Sequence, residues 1–262
     1  MGEFRYEGHR ISYDSYGAGE RVLVLVHGLL MNRRMFERLG PELAAAGNRV
    51  VCVDLLGHGR SDRPEDLRLY SMPIFARQMV ALLDHLELSS AVVGGTSLGA
   101  NVALELAVHY PERARGLFIE MPVLDNALPA VAGAFTPVLL GLRAARPAFE
   151  LTSRLTSLIP RTNYLVDIGL DWVRQRPGPS GAVLEGLLLG ETAPHRAERL
   201  KIKQPALIVG HTRDPVHPFS DSGMLAEELE NGRLVVAGSI FEWRLKPARL
   251  TAELIAFLAE LA

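Results

Sequence analysis

The sequence lacks several features that mark specialised classes of protein. It has one cysteine, Cys52, among 262 residues, which excludes an internal disulfide and a multi-thiolate metal site. It also lacks a basic excess, because 28 lysine and arginine residues face 30 aspartate and glutamate residues. Binding to a nucleic-acid backbone would need such an excess. We therefore expect no nucleic-acid partner, and the lone cysteine is typical of a cytoplasmic protein.

Long apolar runs are missing as well. The uncharged stretch 127–142 is too short for a bilayer-spanning helix and is interrupted by prolines and glycines. We expect a buried or substrate-facing helix there and no membrane span. Residues 1–10 mix charges with aromatic side chains and lack the apolar core of a signal peptide, so we expect no secretion signal in them.

What is present indicates one large α/β core. Apolar residues make up 48% of the chain and charged residues 22%. Short β-branched runs alternate with amphipathic helical stretches, a pattern that predicts a mostly parallel sheet flanked by helices. Two alternating segments, 4–6 and 10–16, predict an antiparallel pair at its edge. The β-branched runs cover 22–27, 50–54, 91–95, 117–120, 206–210 and 234–237.

The alternation of strands and helices stops after the run at 117–120. Leucine- and alanine-rich segments with many prolines fill the chain until the run at 206–210. We predict a helical cap over residues 122–195, inserted into a core formed by 1–121 and 196–262. Prolines, among them Pro137, are expected to divide this cap into about three to five short helices, with Gln175–Gly181 as an internal linker.

A serine stands at a sharp turn between a strand and a helix. Gly95-Thr-Ser97-Leu-Gly99 ends the run 91–95 and begins a helical stretch, which is the pattern of a nucleophile elbow. Small residues must flank such a serine, and the amino terminus of the helix directs amides at a developing oxyanion. We predict that the backbone amides of Leu98 and Leu29, which follows the first buried strand, form the oxyanion hole.

Three motifs occur together in a characteristic order. They are His-Gly at 27–28, Asp-x-x-Gly-x-Gly-x-Ser at 54–61 and Gly-x-Ser-x-Gly at 95–99. In this order and spacing the chain resembles the α/β-hydrolase superfamily over nearly its whole length. The resemblance implies an eight-stranded, mostly parallel sheet with a helical cap after the sixth strand, and a catalytic serine, acid and histidine in that chain order.

The histidine departs from the family pattern. Family members place it after the last strand, but residues 236–247 contain no histidine and the last one in the chain is His217. We predict His217 as the general base. Asp214 stands where the family has its acid and is one candidate to orient that ring, although its closeness to His217 in the sequence leaves its placement open. Glu120, which ends the sixth strand, is the alternative acid, unless it pairs with Arg244.

Two further hypotheses stay open at this stage. His58 or His195 could supply the base in place of His217, or the triad could be broken. The first prediction is a serine hydrolase that cleaves a carboxylic ester or lactone of a small apolar or aromatic molecule through an acyl-serine, without cofactor or metal. The alternative is a hydrolase-like protein that binds a small apolar ligand without turnover. Thioester, amide and C–C bond hydrolysis also remain open, and the sequence does not indicate an oligomeric state.

Overall fold

One eight-stranded sheet organises the molecule. The computed structural model describes residues 1–261, and the strands lie side by side in the order β1-β2-β4-β3-β5-β6-β7-β8. The strands are β1 (Gly2–Tyr6), β2 (His9–Tyr16), β3 (Arg21–Val26), β4 (Asn48–Asp54), β5 (Ala91–Thr96), β6 (Ala114–Glu120), β7 (Ala206–His211) and β8 (Gly232–Ala237).

The sheet is mostly parallel, as predicted. Strand β1 pairs with β2 and β2 pairs with β4 in antiparallel fashion, and every other neighbouring pair is parallel. The carboxyl ends of β5, β6 and β7 therefore meet at one edge, where open α/β sheets bind their ligands.

Helices cover both faces of this sheet. The longer ones are α1 (Leu39–Ala45), α2 (Met72–His85), α3 (Leu98–His109), α4 (Leu128–Ala144), α5 (Arg146–Ser157), α6 (Tyr164–Val173), α7 (Pro177–Leu188), α9 (Phe219–Glu228) and α11 (Ala248–Glu260). Two helices, α8 (Arg196–Arg199) and α10 (Glu242–Leu245), are single turns, and short 3-10 helices lie at Arg33–Phe36, Leu67–Leu69 and Pro111–Arg113.

Strand β3 illustrates why its residues form a doubly covered strand. Val22, Val24 and Val26 pack on the side of α2 and α3, whereas Leu23 and Leu25 pack on the side of α1 and α11. Successive side chains of a strand point to opposite faces, so an uninterrupted apolar run is required when both faces are buried.

Five helices, α4 to α8, lie between β6 and β7. Two sequence predictions about this segment are wrong. Pro137 lies inside α4 and does not end it. Residues 177–181 belong to the start of α7 and form no linker, because Pro177 and Pro179 occupy its first turn, where no intrahelical N–H donor is needed. The proposed cap boundaries at 122 and 195 remain a prediction.

A buried carboxylate fixes the start of this inserted segment. Asp221 of α9 is fully buried and accepts hydrogen bonds from the amides of Leu124, Asn126 and Ala127 at 2.8, 3.1 and 3.0 Å. Helix α4 therefore begins at a position set by the core. Within residues 1–261 no individual helix is long and apolar enough to cross a bilayer, and the α4–α5 pair reaches that length only across a 98° bend.

Candidate active site

Ser97 occupies a strained turn at the carboxyl end of β5. Its φ of 54° and ψ of −107° lie where side chains other than glycine are rare. A Cβ atom on Gly95 or Gly99 would come within 1.9 or 2.0 Å of the carbonyl oxygen of Val26, so neither position has room for a side chain. The turn is held by the Ser97 amide, which donates to the carbonyl of Glu120 at 2.8 Å.

His217 and Asp214 lie beside this serine. The Nε2 atom of His217 is 2.9 Å from Ser97 Oγ, and its Nδ1 atom is 2.8 Å from Asp214 Oδ2. Both residues come from the loop between β7 and α9. When Nδ1 carries the proton and donates it to Asp214, Nε2 accepts a hydrogen bond from the Ser97 hydroxyl.

Asp214 and His217 contact each other because the short loop between them is curled. Asp214 Oδ1 accepts hydrogen bonds from the amides of Val216 and His217 at 2.8 and 2.9 Å, which curls the loop and returns the imidazole to Oδ2. Burial disfavours the charged carboxylate, but the hydrogen bonds and charge of His217 outweigh it and hold the pKa of Asp214 below its ordinary value. The carboxylate is thus ionised when it faces the imidazole.

A small apolar cavity opens onto Ser97. It encloses about 50 Å³, and both Leu29 and Leu98, the predicted oxyanion donors, line it with the serine. A second, more open cavity of about 560 Å³ shares Val131, Leu188 and Thr192 with it. The apolar walls of the inner cavity come from Met72, Phe135, Leu184 and Leu187 as well.

Glu120 lies one strand away from the serine and faces different partners. It is buried, and it accepts hydrogen bonds from Thr96 Oγ1, from His211 Nε2 at 3.2 Å and from the Arg244 guanidinium at 3.3 and 3.4 Å. Burial raises its pKa, but Arg244 and His211 more than offset this and lower it to about 2. The structure therefore brings Asp214, and not Glu120, to His217, and it brings Glu120 to Arg244.

Comparison with known proteins agrees with this architecture. The sequence profile of the alpha/beta hydrolase fold family matches residues 21–239. The chain belongs to this family. It is 30% identical to the 2-hydroxymuconate semialdehyde hydrolase of Pseudomonas sp. (strain CF600), over 97% of this chain and 92% of that protein.

Solved alpha/beta hydrolases share the fold over the full length. A hydrolase from Pseudomonas aeruginosa PA01 matches with a TM-score of 0.79 at 22% identity, covering 98% of this chain and 97% of its own. The enol-lactonase from Burkholderia xenovorans LB400 matches with a TM-score of 0.79 at 20% identity, covering 98% of this chain and 100% of its own. At these identities the likeness concerns the fold alone.

The other histidines considered for this alpha/beta hydrolase make contacts away from Ser97. His58 is fully buried, its Nδ1 atom lies 3.0 Å from the carbonyl of Leu56, and burial lowers its pKa well below the ordinary value. His195 is exposed and pairs with Glu191 at 3.2 Å. Neither has a hydrogen bond to the serine in the described part of the chain.

Asn101 is a site residue that sequence analysis missed. From α3 it donates to the carbonyls of Val123 and Thr192 at 2.7 and 2.6 Å and accepts from the Val123 amide at 3.0 Å. It also lines the cavity at Ser97. The signal was available, because Asn101 and Glu105 are the polar residues on the otherwise apolar first part of this helix.

Proposed function

We propose that this protein is a serine hydrolase that cleaves a carboxylic ester or lactone through an acyl-serine intermediate. The observation that carries the proposal is the continuous series of contacts from Ser97 Oγ to His217 and on to Asp214, at 2.9 and 2.8 Å. A nucleophile, a base and a group that orients the base, each within hydrogen-bond distance, are the requirements of acyl transfer to serine.

The chemistry follows from the proposed roles. Ser97 Oγ attacks the carbonyl carbon while His217 Nε2 takes the hydroxyl proton, and Asp214 stabilises the resulting imidazolium. The amides of Leu29 and Leu98 donate to the oxyanion. Collapse of the tetrahedral intermediate breaks the C–O bond, and His217 returns the proton to the leaving alkoxide. Water then attacks the acyl-serine by the same sequence and releases the carboxylic acid.

The cavities support a small apolar acyl group. The inner cavity at Ser97 is about 50 Å³ and has apolar walls, which favours a short acyl chain. The adjoining cavity of about 560 Å³ carries charged residues such as Asp125, Glu191 and Arg196 and suits a more polar leaving group. The buried Cys52 supports the further proposal of a cytoplasmic location.

A second candidate is hydrolysis of a molecule like 2-hydroxymuconate semialdehyde, the compound for which a relative of this chain is named. The 30% identity to a 2-hydroxymuconate semialdehyde hydrolase over almost the whole chain favours including this substrate in the assay. The same serine and histidine would be required, so the assay separates the two candidates by substrate and not by residue.

The experiment combines a fluorophosphonate probe with a panel of substrates. The parent protein should be labelled and should hydrolyse an activated aryl ester or a lactone, and Ser97→Ala should do neither. His217→Ala should lower kcat by about 100-fold to 10,000-fold, because a general base is lost. The binding-protein alternative is favoured if the parent shows no labelling and no turnover of any substrate in the panel.

A matched pair of variants tests the acid. Asp214→Asn keeps an oxygen to accept the loop amides but removes the charge that faces His217, so kcat should fall by about 100-fold or more. Glu120→Gln, measured at a temperature where circular dichroism shows both variants folded, should lose less. A larger loss in Glu120→Gln would assign the acid to Glu120.

A further inference from the structure

A large cavity lies apart from Ser97, where the loops after β3 and β4 face helices α5 and α6. Its volume is about 620 Å³, within the range of small-molecule sites. Asn32 and Arg33 line it from the first loop, Arg60 from the second, and Ser153 and Asp171 from the inserted helices. None of its lining residues lines the cavity at Ser97.

The lining of this cavity has an excess of positive charge. Its carboxylates already have partners, because Arg33 contacts Asp14 at 2.7 Å and also pairs with Asp54, and Arg161 contacts Asp171 at 2.6 Å. Glu37 contacts Arg34 at 3.5 Å. The arginines that line it are Arg33, Arg34, Arg60, Arg63, Arg161, Arg174 and Arg176, and the carboxylates are Asp14, Glu37, Asp54 and Asp171.

Three of these guanidinium groups have no carboxylate within 4.0 Å among residues 1–261. Arg63 donates to the carbonyl of Gly59, and Arg60 lies 2.9 Å from the sulfur of Met1. Arg176 forms no side-chain hydrogen bond within the same range. Burial lowers the pKa of Arg63; Asp54 opposes this change, and the positive charge of Arg176 adds to it. Arg63 and Arg176 therefore repel each other in the lining of the cavity.

We propose that this cavity binds a compact organic oxyanion with more than one negative charge. Arg60, Arg63 and Arg176 bind its phosphate or carboxylate groups, since the planar guanidinium matches both groups in a two-point hydrogen bond. The site is separate from Ser97 and needs no turnover there.

Calorimetric titration at constant ionic strength tests the proposal, with fructose 1,6-bisphosphate and citrate as probes. Saturable one-to-one binding of fructose 1,6-bisphosphate or citrate is expected, and the tighter of the two identifies phosphate or carboxylate as the preferred group. Arg63→Gln and Arg176→Gln should each weaken binding by 10-fold or more, which is about the loss in affinity expected when one charge-assisted hydrogen bond is removed.

Two control variants make the outcome decisive. Arg154 is an exposed arginine of α5 that does not line the cavity, so Arg154→Gln should bind the probe like the parent. Ser97→Ala should also bind it unchanged. The proposal is overturned if no probe binds saturably, if Arg154→Gln loses as much affinity as Arg63→Gln and Arg176→Gln, or if Ser97→Ala abolishes binding. Arg176 is exposed, so its variant remains informative even if Arg63→Gln does not fold.

Discussion

The backbone of Ser97 is held in a conformation that costs free energy by itself. A residue other than glycine at positive φ costs on the order of 1–3 kcal/mol, and its neighbours must maintain it. Here the close approach of Gly95 and Gly99 to the carbonyl of Val26 permits the turn. The position of the hydroxyl therefore depends on two residues that carry no side chain.

Substitution of Gly99 tests this dependence. Gly99→Ala should lower the free energy of unfolding by more than about 2 kcal/mol, because its Cβ would meet backbone at 2.0 Å. Gly133→Ala in α4 is the matched control, since a Cβ there meets nothing within 4 Å and alanine favours a helix by about 1 kcal/mol over glycine. Denaturant unfolding measures both. Equal stabilities of the two variants would contradict the steric argument.

Single residues differed in how far the sequence predicted their surroundings. The turn at Ser97 could be recognised because its requirements are local, within Gly95 to Gly99. The choice between Asp214 and Glu120 as the acid stays open in the sequence, because spacing alone does not describe a loop whose own amides bind the carboxylate. Side chains three residues apart, such as those of Asp214 and His217, come into contact when the backbone between them curls.

At the scale of elements, one buried carboxylate ties together the ends of several strands. Glu120 ends β6, Thr96 ends β5, His211 ends β7, and Arg244 comes from α10 after β8. The imidazole and the guanidinium approach the same carboxylate. Thr96 directly precedes the nucleophile, and the Glu120 carbonyl accepts a hydrogen bond from the Ser97 amide. This network therefore helps to hold the turn at Ser97.

The protonation of His211 gives a pH-dependent prediction. Burial lowers the pKa of His211, but the hydrogen bond and charge of Glu120 outweigh it and hold that pKa above the ordinary 6.5. A raised pKa in the folded state adds stability that is complete below the pKa of the unfolded chain and is lost as the pH rises through the folded value. The excess free energy of unfolding of the parent over His211→Gln should therefore decline as the pH rises above the ordinary pKa of 6.5.

The exposed His195 provides the control for this measurement. It pairs with an exposed Glu191, so the stability difference between the parent and His195→Gln should stay small and nearly flat over the same range. A constant difference for His211→Gln would mean that folding leaves the pKa of His211 unchanged, and a difference that grows with pH would mean that His211 is neutral in the folded protein.

The elements themselves were predictable where a periodic pattern dominated. Strands such as β3 are continuous apolar runs because both faces are buried, and no other arrangement hides them. The wrong predictions are those that treat a proline as the end of a helix. Pro137 lies within α4, and Pro177 begins α7, so the effect of a proline depends on its position in the helix.

At the scale of the whole molecule, polar anchors join the inserted helices to the core. Asp221 binds the start of α4, and Asn101 bridges Val123 and Thr192. Tyr164 of α6 donates its hydroxyl proton to the carbonyl of Met35, with the guanidinium of Arg38 4.4 Å from the centre of its ring. The side chain of Tyr164 is buried between the two parts.

Removal of the Tyr164 anchor should loosen the inserted helices. Tyr164→Ala deletes a buried aromatic ring and should cost about 3 kcal/mol, so trypsin should cleave the variant near Arg154 and Arg161 faster than it cleaves the parent. Leu165→Ala, an exposed neighbour on the same helix, should leave the cleavage rate unchanged. Equal protection of Tyr164→Ala and the parent would contradict the anchoring role.

These anchors could not be predicted from the sequence. Asp221 meets its amides, and Tyr164 meets Met35, across about 95 to 130 positions of chain. Such pairs are set by how the insertion folds back on the sheet, and this depends on packing between segments that carry no shared periodic signal. The sequence predicts a helical insertion, but it does not predict how that insertion packs against the core.

The turn that carries Asp214 and His217 has a consequence for how the site tolerates change. Two members of the proposed triad lie within four residues of one loop, so their mutual distance is independent of the twist of the sheet and of everything after β8. The segment after β8 is thereby released from supplying a proton acceptor. The loop could therefore be transferred as one segment into a related alpha/beta hydrolase. Only the distance between the histidine and the serine of the new protein would then need to be adjusted.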